Sequence, residues 1–157
     1  MQPSVGWIVL LFLIVFPAFW VAICMLLGEL SGWRALAREY RGRLASPAGS
    51  VGMSSGRMGL TGYRNCLNVS VGAQGLGLSV FPLLAVGSPP LVIPWPAVEL
   101  VRRDRLFGVF DRLHLRLGGA VTLVLYGSAA RLVESWNTRA ALAETPAALA
   151  RAEVERS

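Results

Sequence analysis

The chain contains no lysine, one histidine and two cysteines among its 157 residues. Without lysine, neither a Schiff base nor the lysine of a P-loop can form. Cys24 and Cys66 are too few for a disulfide framework, and with a single histidine they provide no zinc-ligand cluster. We therefore expect neither a metal site nor a cofactor.

Acidic residues are also scarce. Nine carboxylates stand against fifteen cations, all of them arginine, and the formal net charge is +6. Charged residues still make up only 15% of the chain, whereas 54% is hydrophobic. This combination favours a membrane surface over a nucleic acid, because a nucleic-acid interface needs a basic stripe interleaved with exposed aromatics, and most aromatics here lie in an apolar run or at core-like positions. The composition, rich in Arg, Ala, Gly and Leu, is typical of a GC-rich bacterial genome.

An uninterrupted apolar run occupies Val5–Leu27. As a helix, its 23 residues would be about 34 Å long, which is enough to cross a bilayer. A cleaved signal peptide is one alternative, but residues 1–6 carry no cation and no small-residue cleavage site follows. A buried core helix is the other, but so small a domain cannot surround such a helix. Residues 1–30 are therefore predicted to be a transmembrane anchor.

Cations flank only one end of this run. None precedes it, and four arginines follow within 16 residues of Leu27. Since cytoplasmic flanks carry the excess of basic residues, the N-terminus is predicted to lie outside and the C-terminal domain in the cytoplasm. The expected location is the bacterial inner (cytoplasmic) membrane, crossed once.

The segment after the run has helical periodicity, and Ser31 can cap the helix. Its apolar positions are Trp33, Leu36, Ala37, Tyr40 and Leu44. We interpret this segment as an amphipathic helix lying along the headgroups. The candidate membrane-surface residues are Trp33, Arg34, Arg38, Arg41 and Arg43. The alternative is a solvated helix whose arginines only stop translocation.

Proline, glycine and serine give Ala45–Gly59 the composition of a linker. Residues 31–54 are therefore assigned to the juxtamembrane helix and linker. The soluble domain is predicted to begin at residue 55.

Beyond the linker, apolar residues recur at every second position, which is typical of antiparallel strands with one solvated face. The predicted strands are Leu67–Val71, Leu76–Val80, Leu91–Trp95, Leu113–Leu117 and Val121–Leu125. Ser128 can cap an amphipathic helix that includes Trp136, and Pro146 is expected to interrupt it. Residues 55–141 are thus predicted to form a mainly-β domain with a C-terminal helix, and residues 142–157 a tail or short helix.

Three stretches carry a resemblance to a known family: residues 31–41, residues 56–69 and Leu91–Trp95. In order and pattern they resemble small bacterial proteins with one membrane helix and a pleckstrin-homology (PH)-like or GRAM-like domain. The resemblance implies a barrel of six to seven antiparallel strands capped by a C-terminal α-helix. In eukaryotic PH domains a basic cluster in the first hairpin binds inositol phosphates, whereas this chain has only Arg57 and Arg64 there, so that activity is not carried over.

The enzymatic lead is the stretch 52–56, Gly-Met-Ser-Ser-Gly, which matches the G-x-S-x-G nucleophile pattern. Asp104 and His114 follow Ser54 in the order of the α/β-hydrolases. The pattern requires a strand before the serine and a helix after it, and neither is predicted here. A serine hydrolase is therefore kept only as a remote alternative, and no catalytic residue is expected.

Three cations, Arg102, Arg103 and Arg105, surround Asp104 in a predicted loop. Their fork-shaped donors suit a phosphate or a carboxylate, so they are the candidate ligand or partner contacts. A solvated loop without a ligand is the alternative.

These features predict a non-catalytic, membrane-anchored module that binds anionic lipid headgroups or a membrane-protein partner on the cytoplasmic face. Because the anchor removes most of the translational cost of a second contact, a weak intrinsic affinity is enough. The alternative is a structural subunit of a membrane protein complex with no small ligand.

The full-length protein is expected to stay in the membrane fraction after an alkaline carbonate wash. A C-terminal tag should be protected from protease added to intact spheroplasts, and deletion of residues 5–27 should release the protein from the membrane. A full-length product that is soluble without detergent would contradict the anchor. A C-terminal tag accessible from outside would contradict its direction.

Overall fold

The computed structural model describes residues 4–155 as three α-helices and seven strands. The helices are α1 (Val5–Leu30), α2 (Trp33–Tyr40) and α3 (Ser128–Glu155). The strands are β1 (Gly49–Met58), β2 (Thr61–Gly72), β3 (Gly75–Val80), β4 (Leu91–Ile93), β5 (Val98–Leu106), β6 (Phe110–Leu117) and β7 (Val121–Tyr126). Single-turn 3-10 helices at Pro82–Leu84 and Trp95–Ala97 flank β4.

All seven strands form one antiparallel sheet in the order β4-β3-β2-β1-β7-β6-β5, curled into a half-barrel. Alternate side chains fill its inner face, among them Leu67 and Val69 of β2 and Leu113 and Leu115 of β6. The predicted architecture of an apolar N-terminal helix, an antiparallel β domain and a C-terminal helix is confirmed at this level. The predicted hairpin of β2 and β3 is also confirmed, with Gly72 paired to Gly75.

The predicted linker at Ala45–Gly59 is wrong, because Gly49–Met58 is the strand β1. This strand pairs with β2 on one side and β7 on the other, so it holds the two halves of the sheet together. Its small residues permit close packing: a Cβ added at Gly56 would lie 2.9 Å from the carbonyl oxygen of Val124. The domain boundary predicted between residues 54 and 55 falls inside this strand.

The expected break at Pro146 is also wrong, since α3 continues through it to Glu155. The sequence around the proline is rich in alanine, the residue with the highest helix propensity. The alanine-rich sequence on both sides favours continuation of the helix, although proline removes one backbone hydrogen bond.

The short helix α2 closes one end of the half-barrel. Trp33 is fully buried, its Nε1 donates to the carbonyl oxygen of Pro89 at 2.7 Å, and its ring packs against Tyr63. Leu36 is buried beside it. The apolar face of α2 therefore packs on the sheet and not on lipid. Helical periodicity predicts that one face of α2 is covered, but it does not tell whether protein or lipid covers that face.

The opposite end of the half-barrel is covered by the first turns of α3. Ala129, Ala130 and Val133 are buried there, and the rings of Trp136 and Trp95 stack with centroids 6.4 Å apart. The two helices thus enclose a single core on the concave face of the sheet.

The first helix, α1, is long and apolar enough to span a membrane: its most apolar window has a mean hydropathy of 2.9 and is only 6% buried. Its last turns contact the domain through Cys24 and Gly28, both buried. Thr61 Oγ1 also donates to the carbonyl oxygen of Leu27 at 3.4 Å. The sheet is therefore attached directly to the end of the apolar helix.

We expect Trp33→Ala to destabilise the domain by about 3–5 kcal/mol, because it leaves a core cavity and removes the donor to Pro89. Urea unfolding of the full-length protein in detergent, followed by circular dichroism, measures the loss. Trp7→Ala is the matched control, since Trp7 is exposed near the far end of α1. If Trp33 faced lipid, the two variants would unfold alike.

Candidate functional site

The outer face of the sheet carries most of its charge. Directly paired residues of neighbouring strands share a face. The register aligns four residues in one row across β1, β7, β6 and β5: Arg57, Val124, His114 and Arg102. Arg112 and Arg116 lie on either side of His114 on β6. Asp104 and Glu99 of β5 pair directly with Arg112 and Arg116 on the same face. The outer face remains basic, because its two carboxylates are outnumbered by four arginines: Arg57, Arg102, Arg112 and Arg116.

Next to this row lies an open groove of about 670 Å³, which we call the outer groove. Its lining residues are 53–57, 62–65, Phe110 and 126–128. Arg57 and Arg64 are both exposed, and neither forms an ion pair with a carboxylate whose side chain the structure describes. An open groove with two free guanidinium groups suits carboxylate or phosphate oxygens.

The backbone around the outer groove is strained. Met53 and Asn65 have φ values of 50° and 52°, which residues other than glycine rarely adopt. Side chains hold both positions: the Met53 N–H donates to Asn68 Oδ1 at 3.1 Å, and the Asn65 N–H donates to Ser55 Oγ at 3.2 Å. Strain maintained by specific hydrogen bonds at strand irregularities is typical of binding sites.

The turn between β5 and β6 is an exposed apolar tip, which we call the hairpin tip: Phe107, Val109 and Phe110. Phe107 is 88% exposed, and Phe110 also lines the outer groove. The other end of β6 turns beside α2, where an added Cβ on Gly118 would touch Tyr40. The hairpin tip therefore stands about 25 Å, measured along β6, from the end of the sheet where α1 is attached.

The predicted contacts Arg102, Arg103 and Arg105 lie on strand β5 and not in a loop. Each forms an ion pair within the chain, and the partners are Asp104, Glu134 and Asp111, respectively. Arg103 pairs across the strands with the core residue Leu113, so it lies on the other face from Arg102. The structure thus divides this cluster, and only Arg102 belongs to the outer-face row.

Of the predicted membrane-surface residues, Trp33 lies in the core and cannot contact lipid. Arg34, Arg38, Arg41 and Arg43 are exposed near the end of α1. Arg34 pairs with Glu29 of α1, and the backbone of Arg41 bridges to Leu91 of β4. Lipid contact by these four arginines stays a prediction.

The three residues of the hydrolase pattern are not brought together. Ser54 is buried in β1 opposite the core residue Leu67, whereas His114 belongs to the outer-face row. Asp104 pairs with Arg102. A strand, and not a strand-to-helix turn, contains the serine, so the triad that the remote hydrolase alternative requires is not formed by these residues.

Sequence reasoning missed the outer groove and the hairpin tip. The available signal for the tip was the turn at residues 107–110, Phe-Gly-Val-Phe, where a hairpin normally carries polar residues. The outer groove gave no such signal, because it depends on Met53 and Asn65 adopting an uncommon backbone conformation.

The pKa of His114 provides a test of the outer-face row. Burial lowers it below the ordinary value of 6.5, Arg112 and Arg102 lower it further, and Asp104 partly opposes them. Because the unfolded chain binds this proton more readily, His114 makes folding less favourable as the pH falls through the ordinary histidine range.

We expect Arg102→Gln to raise the pKa of His114, since it removes a repelling charge. Nuclear magnetic resonance titration of the full-length protein in detergent measures this directly, because the chain has a single histidine. Arg103→Gln is the matched control, one residue away on the opposite face, and should leave the pKa unchanged. An equal shift of the His114 pKa in both variants would contradict the placement of Arg102 and Arg103 on opposite faces.

Comparison of the chain with models of protein families, with curated proteins and with solved structures finds no match.

Proposed function

We propose that this chain is a non-catalytic, membrane-anchored binding module with a PH-like domain at the cytoplasmic face of a bacterial inner membrane. The exposed apolar surface of α1 supports the anchor, and arginines on only one side of the run support the direction. Seven antiparallel strands followed by a helix across one end of the barrel support the PH-like fold.

The ligand that we propose is an acidic segment of a membrane-protein partner. The outer groove carries this proposal, because its two free arginines adjoin an exposed phenylalanine of the hairpin tip. Arginine and aromatic residues are enriched in protein interfaces, where a few such side chains supply most of the affinity. Carboxylates of the partner would pair with Arg57 and Arg64 while an apolar side chain covers Phe110.

A lipid headgroup fits this site less well than a protein. Tyr126 and Phe110 line the end of the outer groove that is furthest from α1. Tyr126 is five residues along β7 from Val121, which contacts the joint between α1 and α2, so it stands about 17 Å from that joint. Arg57 is two residues from Gly59, which lies against the backbone of Ser31, so headgroups of the leaflet around α1 would reach the arginine end of the outer groove but not Tyr126 and Phe110. A protein that projects from the same membrane would contact both ends.

The anchor would set the strength of this contact. Confining both proteins to one membrane raises the effective concentration of the partner, so a shallow, open groove is sufficient for binding. Interaction through exposed arginines is also weakened by salt.

Photo-cross-linking in cells tests this function. A benzophenone amino acid placed at Phe107 or Phe110 of the full-length protein should form a cross-link to a discrete protein. The double variant Arg57→Glu/Arg64→Glu should lower the yield at least about tenfold, because it replaces attraction by repulsion. Arg139→Glu on α3 is the matched control and should not lower it, because Arg139 lies outside the outer groove.

Two outcomes would contradict this function. Cross-links to lipid alone at Phe107 and Phe110 would favour headgroup binding. A protein cross-link equally strong in the Arg57→Glu/Arg64→Glu variant and at high salt would favour the structural-subunit alternative, in which a large apolar interface holds the partner.

A further inference from the structure

The connection between β3 and β4, residues 81–90, lies along α1. Trp20 Nε1 donates to the carbonyl oxygen of Leu83 at 3.2 Å. Eight residues further along α1, a Cβ added at Gly28 would lie 3.0 Å from the carbonyl oxygen of Gly87. The connection therefore follows about 12 Å of the helix.

The outward side chains of this connection are large and apolar. Phe81, Leu83 and Val86 are 47%, 66% and 39% exposed. The sequence has no charged residue between Arg64 and Glu99. Several large apolar side chains exposed together at a short loop are unfavourable in water and typical of a surface that contacts another apolar phase.

Trp20 gives the depth of this loop. It precedes Leu27, the end of the apolar run, by seven residues, or about 10 Å of helix. Between them α1 still exposes Met25 and Leu26, so the surroundings of this part of the helix must be apolar, as the hydrocarbon of a bilayer is. Leu83 lies at the height of Trp20 and would be in the same apolar surroundings.

We propose that Phe81–Val86 is a second membrane-inserting element, which enters the hydrocarbon of the leaflet from which α1 leaves the bilayer. This inference rests on the anchoring role proposed for α1. The apolar side chains of this loop would contact the acyl chains of that leaflet. An open apolar groove of about 360 Å³ between Leu83 and α1, lined also by Phe16 and Trp20, has room for part of one such chain.

Insertion changes how the domain is held. A single helix leaves a domain free to rotate about the membrane normal and to tilt. A loop inserted beside it restrains the tilt, and it keeps the hairpin tip directed away from the leaflet.

Spin labels on the full-length protein test the depth. Cys24→Ala and Cys66→Ala remove the native thiols, and single cysteines are introduced by Leu83→Cys, Val86→Cys, Leu13→Cys or Phe107→Cys. Each variant is labelled with a nitroxide and reconstituted in vesicles of phosphatidylcholine and phosphatidylglycerol. Electron paramagnetic resonance measures collisions with oxygen, which concentrates in hydrocarbon, and with a water-soluble nickel chelate.

The ratio of oxygen to nickel collisions at Leu83 is expected to exceed the ratio at Phe107 several-fold and to approach the ratio at Leu13. Val86 should give an intermediate ratio, because its neighbour Gly87 lies beside Met25, which is closer than Trp20 to the end of α1 that leaves the bilayer. Phe107 is the matched control, an exposed apolar residue at the hairpin tip.

The outcomes separate this inference from the anchor. Ratios at Leu83 and Val86 as low as at Phe107, with a high ratio at Leu13, would overturn loop insertion and leave the anchor intact. A low ratio at Leu13 would overturn both. Protection of Leu83 from both reagents would mean that protein covers the loop, and would also overturn the inference.

Discussion

Trp33 follows the end of α1 by three residues and is enclosed by the sheet, by Tyr63 and by the loop that reaches Pro89. Between helix and tryptophan, Gly32 has a φ of 75°, and a Cβ there would lie 2.9 Å from Val121. Only glycine suits that position without strain. The buried indole and the tight joint fix the direction in which α1 leaves the domain. The height of every part of the domain above the membrane depends on this packing.

The sequence was informative where one physical rule acted alone. Strict alternation predicted β2, β3, β6 and β7, since a half-buried strand needs little else. It failed at Gly49–Met58, where small residues serve close packing of the central strand and look the same as a linker. It also failed for β5, whose arginines suggested a loop. In both strands, pairing with neighbours determines the conformation and local composition does not.

The candidate site, like the fold, was predictable from the sequence only in part. Arg57 and Arg64 were visible in the sequence as isolated cations, but their shared groove depends on two strand irregularities that no pattern of residue types indicates. Conversely, Arg102 to Arg105 looked like a cluster and proved to alternate between two faces. Spacing along a chain becomes proximity in space only after the secondary structure is known, because a strand separates the side chains that a loop can bring together.

The position of β5 at the border of the sheet gives its arginines another effect. A border strand leaves backbone donors and acceptors without a strand partner, and a second copy of the chain could pair with them. Anchored proteins meet one another often because they diffuse in two dimensions and with similar orientation. The charged side chains that alternate along β5 lie on both faces of this border and would lose water if two copies paired there. Charge at this border therefore disfavours self-association, whether or not those arginines ever bind a ligand.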